Sequence, residues 1–226
     1  THDFFLWVHY MDVHGPYTPP ENYQKLFVND EYWNPNPLLL ERVKAYNDTY
    51  KDIVPDGYIP GIPGYQLLNK QVDNQDHLIS YEKNLDFYIA QYDASIKYID
   101  DQVEAILSRL KKIGIYEDVM IVIHSDHGEA FGENGLYFDH GATVSFEQIR
   151  IPLIIKMPFK SPFRRQGIYL NPISLLDIMP SILDLYGIDM SRYDLQGTSL
   201  FSEQHNETRM IYSQFLKQLS CINTGY

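Results

Sequence analysis

The sequence predicts an α/β fold in which a mixed, mostly parallel sheet is flanked by helices. Two apolar runs rich in β-branched residues, at 119–124 and 152–157, are typical of strands buried on both faces. The segment Leu85–Lys112 carries one apolar stripe, including Ile89 and Ile96, at steps of three and four, which predicts a long helix packed on the sheet. Because this helix leads into the strand at 119–124, the chain contains a helix-to-strand unit.

The remaining elements follow from the same periodicities. Residues 4–11 are an apolar run that predicts a first buried strand. Residues 21–80 are irregular and rich in turn residues, which predicts a long surface excursion with a short possible helix at 38–50. Residues 175–186 predict a final core helix, which Gly187 closes.

Composition excludes some classes of function. Hydrophobic residues are 44% of the 226, which indicates a folded globular chain. Eighteen Lys and Arg against 30 Asp and Glu give a net charge of −12, which argues against a nucleic-acid partner. No apolar stretch is long enough to predict a membrane span. The lone Cys221 cannot form an internal disulfide, and the sequence assigns neither a compartment nor an oligomeric state.

Four polar residues follow the ends of predicted strands. Asp126 and His127 come directly after the strand at 119–124, His14 follows the first strand, and His140 lies in the glycine-rich loop after His127. Ligands of open α/β sheets bind beyond the carboxyl ends of the strands, so we expect these side chains to converge. A carboxylate and an imidazole together suit one divalent ion, Mg²⁺, Ca²⁺, Mn²⁺ or Zn²⁺. We therefore expect Asp126 and His127 to bind metal, with further ligands supplied from elsewhere or by the substrate.

Each of these residues also has a structural interpretation. A strand-end Asp often only caps the following turn, and a His in a glycine-rich loop often faces solvent. The agreement of three sites at one end of a predicted sheet favours function. By contrast, Asp100 and Asp101 fall within the long helix and are interpreted as solvated surface, while Glu129 and Glu133 are interpreted as groups that shape the loop or support the site.

Four segments along the chain together form a recognisable pattern. The segments are Phe4-Phe-Leu-Trp-Val-His-Tyr-Met-Asp-Val-His-Gly-Pro-Tyr17, Ile121-Val-Ile-His-Ser-Asp-His-Gly-Glu129, the loop 132–141 with 146–152, and Ile173-Ser-Leu-Leu-Asp-Ile-Met-Pro-Ser-Ile-Leu-Asp-Leu-Tyr-Gly187. In this order they resemble the sulfatase family of the alkaline-phosphatase-like superfamily. The resemblance covers residues 4–200 and implies a partial sulfatase sandwich fold.

The resemblance implies roles for the four residues. Asp126 and His127 would be ligands of one metal ion, with Ca²⁺ the first choice, and His14 and His140 would contact the sulfate or phosphate ester. Many family members have Lys at the position of His140. The partner implied is a small-molecule or glycan sulfate ester. Val13 and Asn134 replace the Pro and His that are usual in relatives, a change that a loop tolerates.

The family's nucleophile motif, Cys/Ser-x-Pro-x-Arg, does not occur in this sequence. In sulfatases this Cys or Ser matures to formylglycine, and it lies with a pair of Asp ligands in the N-terminal half of the domain. We therefore expect residues 1–200 to be the C-terminal half of a sulfatase-like domain, and residues 201–226 to be a polar tail or the start of a further segment. Alone, this chain is expected to bind metal weakly and turn over little.

Three functions remain open at this point. The first is hydrolysis of sulfate esters by the intact protein. The second is hydrolysis of phosphate or phosphonate esters, or transfer of phosphoryl-linked groups, on the same scaffold, because an Asp-His metal pair serves both chemistries. The third is a degenerate, non-catalytic module that binds an anion or a glycan.

Overall fold

The computed structural model describes residues 3–28, 68, 71–72, 74, 78–80, 84–133, 137–141, 143–202, 209–215 and 218–223. The predicted helix at 38–50 and most of the predicted excursion at 21–80 lie outside these residues. The chain divides into two compact units, which are described separately. The first is Thr1–Arg109 with Ala130–Asp139, and the second is Leu110–Glu129 with His140–Tyr226.

The helices of the described residues are one long element and three short ones. Helix α1 is Glu21–Gln24, α2 is Leu85–Lys112, α3 is Phe146–Ile149 and α4 is Ile178–Leu185. A 3-10 turn at Leu175–Asp177 precedes α4, and together they account for the predicted final helix. None of the helices in the described part of the chain is both long and apolar enough to cross a bilayer.

The strands of the described residues form four antiparallel pairs. Strand β3 (Ile121–His124) pairs with strand β6 (Leu153–Lys156) over four residues, so the two apolar runs of the sequence do form strands. The predicted mostly parallel sheet is not confirmed, because every pair among these residues is antiparallel and β3 is only partly buried. The pairs are β1 (Gln71–Val72) with β2 (Leu78–Ser80), β3 (Ile121–His124) with β6 (Leu153–Lys156), β4 (Ala130–Phe131) with β5 (Tyr137–Asp139), and β7 (Met210–Phe215) with β8 (Gln218–Asn223).

Helix α2 has the predicted bounds but not the predicted buried face. The side chain of Asn84 accepts a hydrogen bond from the backbone N–H of Asp86, and Gly114, at φ 77°, follows the last turn. Ile96 on the predicted apolar stripe is 45% exposed. Periodicity identifies an apolar face, but only neighbours in space can cover it. The buried residues of the helix are Leu85, Tyr88, Ala90, Gln91, Ala94 and Ser95.

The core of the first unit is aromatic. Tyr17, Tyr88 and Phe138 are fully buried, with the rings of Tyr17 and Phe138 5.8 Å apart and those of Tyr88 and Phe138 5.3 Å apart. Phe138 has a φ of 52°, a left-handed conformation that is rare for a bulky side chain. Burial of its ring in this cluster outweighs the strain and anchors the β4–β5 hairpin.

The prediction of a buried strand at residues 4–11 is wrong for this structure. These residues form no strand, and the side chains of Phe5 and Trp7 are 80% and 73% exposed. An apolar run becomes a buried strand only when other strands flank it, and no described residues do so here.

In the second unit an ion pair joins Arg209 to Asp177, the last residue of the 3-10 turn that precedes helix α4. Asp177 is fully buried and accepts hydrogen bonds from the Arg209 guanidinium and from the backbone N–H groups of Ser174 and Thr198. Burial alone would raise the pKa of Asp177, but these bonds outweigh it and hold the pKa below its ordinary value. The residues after 200, which carry no structural prediction beyond a tail, thus include the β7–β8 hairpin.

Candidate functional site

Strand β3 delivers the predicted metal ligands. His124 ends the strand opposite Leu153 of β6, and the chain then leaves the sheet through Ser125. Asp126 and His127 follow at once, as the sequence predicts, and the Asp126 side chain is 69% exposed. The paired strands fix the start of this loop, and its carboxylate is open to solvent and to ligands.

Gly128 is required here for a reason other than conformational freedom. Its N–H donates to the carbonyl of Gln148 at 2.7 Å. A Cβ at this position would lie 2.0 Å from the carbonyl oxygen of Glu147, a backbone atom that cannot move aside. The sequence suggested a sharp turn, whereas the structure shows a close approach of helix α3 to the loop.

The hydrogen bond between the His127 ring and the Gly128 carbonyl indicates which ring nitrogen could bind a metal ion. Its Nδ1 lies 2.8 Å from the carbonyl oxygen of Gly128, and a carbonyl only accepts, so Nδ1 carries the hydrogen. Nε2 is left as the nitrogen with a lone pair, 3.7 Å from Oδ1 of Asp126. One ion bonded to both atoms at about 2.0–2.6 Å is compatible with this separation.

His140 lies beside these residues. Its ring stacks on that of His127, with centroids 4.0 Å apart and planes at 21°. Its Nδ1 lies 3.3 and 3.4 Å from the two carboxylate oxygens of Glu129. The structure therefore places Asp126, His127 and His140 in one cluster and adds Glu129 to it.

Glu129 is the residue whose contribution the sequence understates. It is interpreted from the sequence only as a supporting group, and the structure shows a buried side chain, 5% exposed, bonded to a predicted site residue. The available signal is its place directly after the Asp-His-Gly sequence. Nothing in the local pattern links it to His140, eleven residues further on.

His14 belongs to the other compact unit, where it is exposed and its Nδ1 lies 2.7 Å from the carbonyl oxygen of Gly15. The predicted convergence of His14 with the other three residues stays a prediction.

The described residues do not form a complete metal shell. Among them, no group of three or more His, Cys, Asp or Glu side chains is placed to hold an ion. Asp126 and His127 carry an oxygen and a nitrogen that could each bind a metal ion, and their role as metal ligands stays a prediction.

Comparison with known proteins identifies a family model that matches most of the chain. The family model described as Sulfatase matches residues 1–188. This range contains all four predicted site residues and ends one residue after Gly187, which closes helix α4.

The curated relatives divide between two kinds of enzyme name. The chain is 32% identical over 167 residues to the choline-sulfatase of Rhizobium meliloti, covering 70% of this chain and 31% of that protein. It is 28% identical over 161 residues to lipoteichoic acid synthase 1 of Bacillus subtilis, covering 58% of this chain and 24% of that protein. It is 32% identical over 142 residues to the lipoteichoic acid synthase of Staphylococcus aureus, covering 60% of this chain and 21% of that protein. The chain thus spans between a fifth and a third of the length of these relatives.

One solved structure is also similar. It is BT4656 in complex with its substrate D-glucosamine-2-N,6-O-disulfate, with a TM-score of 0.46 and 25% identity over 62% of this chain and 31% of that one.

Proposed function

The chain belongs to the sulfatase family, and we propose on this basis that the intact protein containing it hydrolyses sulfate esters with the help of one divalent metal ion. Asp126 and His127 are the proposed metal ligands, and His140 and His14 the proposed contacts of the ester. The observation that carries the proposal is the 3.7 Å separation of Asp126 Oδ1 from His127 Nε2, with the Nδ1 of His127 already bonded to a carbonyl.

The donor set fits a hard or borderline cation. Ca²⁺ is the first choice for an oxygen-rich site, while the imidazole nitrogen keeps Mg²⁺, Mn²⁺ and Zn²⁺ open. When bound, such an ion stabilises negative charge on the oxygens of the ester group. The remaining ligands and a formylglycine nucleophile are proposed to come from outside this chain.

The residues of the chain have separate tasks in this proposal. The carbonyl of Gly128 orients His127, so that the ring does not have to rotate when a ligand arrives. The partly buried His140 is proposed to donate a hydrogen bond to the ester or to protonate the leaving oxygen. Its stacking on His127 keeps the ester contact next to the metal ligands.

A second candidate is hydrolysis of phosphate or phosphonate esters, or transfer of phosphoryl-linked groups. Relatives named lipoteichoic acid synthase favour it, because that name describes a synthase and not a hydrolase of sulfate esters. The same ligands would serve both reactions, since a tetrahedral anionic ester group is held in each.

The two candidates are separated by assaying the purified intact protein on p-nitrophenyl sulfate and p-nitrophenyl phosphate before and after chelation. The proposal expects faster turnover of the sulfate, loss of that activity with chelator and its return with Ca²⁺ or another divalent ion. Preference for the phosphate would select the second candidate. Binding of a sulfated glycan with no turnover and no metal requirement would instead indicate the non-catalytic module.

A further inference from the structure

We propose that Gln148 is a positioning residue that fastens the segment after His140 to the loop that carries His127, and thereby keeps the two imidazole rings against each other. The connection itself stands on the hydrogen bonds of Gln148. Its consequence for turnover rests on the proposed function.

Gln148 lies in helix α3 and binds both segments at once. Its backbone carbonyl accepts the N–H of Gly128 at 2.7 Å, directly after His127 in the chain. Its side-chain oxygen Oε1 accepts the backbone N–H of Thr143 at 3.2 Å, three residues after His140. One residue therefore ties together the two segments whose imidazole rings stack with their centroids 4.0 Å apart.

The buried amide of Gln148 is explained by its oxygen. The residue is 3% exposed, and among the described residues none accepts a hydrogen bond from its buried Nε2. Exchanging the two amide atoms would turn the NH₂ group towards the N–H of Thr143, so this contact fixes the orientation of the amide. An unsatisfied buried donor costs free energy that an apolar side chain of the same length would avoid. The bond that Oε1 accepts from Thr143 is therefore the contribution that only a polar side chain makes here.

The start of helix α3 explains how the Gln148 side chain comes to bind Thr143. The sequence Ser145-Phe-Glu-Gln148 matches a capping box, in which the glutamine would bind the backbone N–H of Ser145. In the structure that N–H donates to the hydroxyl of Thr143 at 3.3 Å, and the same hydroxyl donates to the hydroxyl of Ser145 at 2.9 Å. Because the N–H of Ser145 is already bonded, the amide of Gln148 reaches two residues further back, to the N–H of Thr143.

The first test uses NMR of the intact, ligand-free protein to measure hydrogen exchange at the Thr143 amide and nuclear Overhauser contacts between the rings of His127 and His140. The wild-type protein should show a protected amide and ring contacts. Gln148→Met keeps the length of the side chain but lacks its oxygen, so it should speed exchange about tenfold, the factor expected for one lost hydrogen bond, and weaken the ring contacts. Gln148→Glu keeps an oxygen of the same reach and should restore both.

Two results of this test would overturn the proposal. One is a wild-type Thr143 amide that exchanges as fast as an unprotected loop amide, which decides the matter whether or not either variant folds. The other is faster exchange in Gln148→Met with unchanged contacts between the two rings.

The second test is a double-mutant cycle on the sulfatase activity of the intact protein. Loss of a supporting contact near a site lowers activity about 10–100-fold, and Gln148→Met should reduce kcat by the lower factor because it acts through a neighbouring segment. The dissociation constant of the metal should change less than kcat. In a His140→Ala background, Gln148→Met should have little further effect. Equal losses in the two backgrounds would show that Gln148 does not act through His140 and would overturn the proposal.

The matched control is Gln91→Met in the other compact unit. Gln91 is also 3% exposed, and its side chain also bonds a backbone group, the carbonyl of Gln24 at 2.9 Å. This variant should lower thermal stability but leave the exchange of the Thr143 amide and the ring contacts unchanged. The same changes in Gln91→Met as in Gln148→Met would show a general loss of stability and would overturn the proposal. If the intact protein turns over no sulfate ester, the proposed function fails, and the NMR measurements still decide the inference.

Discussion

The imidazole rings of His127 and His140 lie face to face, with their centroids 4.0 Å apart. One ring belongs to the loop after strand β3 and the other follows the β4–β5 hairpin, so the contact joins two segments that the sequence separates by a dozen residues. It places a proposed metal ligand against a proposed ester contact.

Asp126→Ala should abolish metal binding and activity of the intact protein while leaving its fold intact. The carboxylate is mostly exposed, so its removal costs little packing energy, whereas an ion would lose one of two donors from this chain. Metal content by mass spectrometry, turnover and thermal unfolding measure the three properties. Asp100→Ala is the control, because that carboxylate is equally exposed on helix α2. Wild-type turnover in Asp126→Ala would refute the site assignment.

His140→Ala should lower turnover more than it lowers metal affinity. Its proposed partner is the oxygen of the ester, and the proposed ligands Asp126 and His127 remain in place. Parallel measurement of kcat and of the metal dissociation constant tests this. Equal losses in both quantities would place His140 in the metal shell instead.

Gly128→Ala should destabilise the second unit and disturb the site. The added Cβ would lie 2.0 Å from the carbonyl oxygen of Glu147, so the loop must shift away from helix α3. We expect a loss of about 1–3 kcal/mol in the free energy of unfolding, the usual cost of overpacking, together with weaker metal binding.

Gly114→Ala is the matched control for this glycine. It has a φ of 77° and no heavy atom within 4 Å of an added Cβ, so it tests backbone strain alone. That strain costs about 1–2 kcal/mol. Metal binding should be unchanged in this variant, and denaturant unfolding of both proteins gives the comparison. Unaltered metal affinity in Gly128→Ala would show that the close approach does not shape the site.

Asp177→Asn should cost about 3–5 kcal/mol of stability at neutral pH, because it leaves the partly buried Arg209 without its charge partner. The bonded carboxylate has a lowered pKa in the folded protein. Its contribution is therefore present above the pKa of an unfolded Asp and is lost as the pH falls through the folded value. The difference between variant and wild type should shrink below about pH 4.

Unfolding midpoints of Asp177→Asn and of the wild-type protein, measured between pH 3 and pH 7, test whether the stability difference shrinks at low pH. Asp189→Asn is the control, because the pKa of Asp189 is also lowered, chiefly by bonds from Ser191, but its side chain is exposed. A stability difference for Asp177→Asn that does not vary with pH would contradict the linkage.

Much of the candidate site was predictable because its information is local. An apolar β-branched run followed by a carboxylate and an imidazole predicts a strand end with these two side chains beside it, whatever surrounds it. The bounds of helix α2 were equally accessible, since a 3.6-residue period and a glycine stop lie within one segment. The contact of Glu129 with His140 was not predictable, because it depends on the hairpin that turns the chain back to His140.

By itself, the sequence determined where strands β3 and β6 and helix α2 lie, the order of the motifs and the family to which they belong. Only the tertiary structure decided that β3 and β6 run antiparallel, that residues 4–9 are exposed and that Ile96 is 45% exposed. The physical reason is that backbone periodicity is set by adjacent residues, whereas burial and pairing are set by whichever segments come together in space.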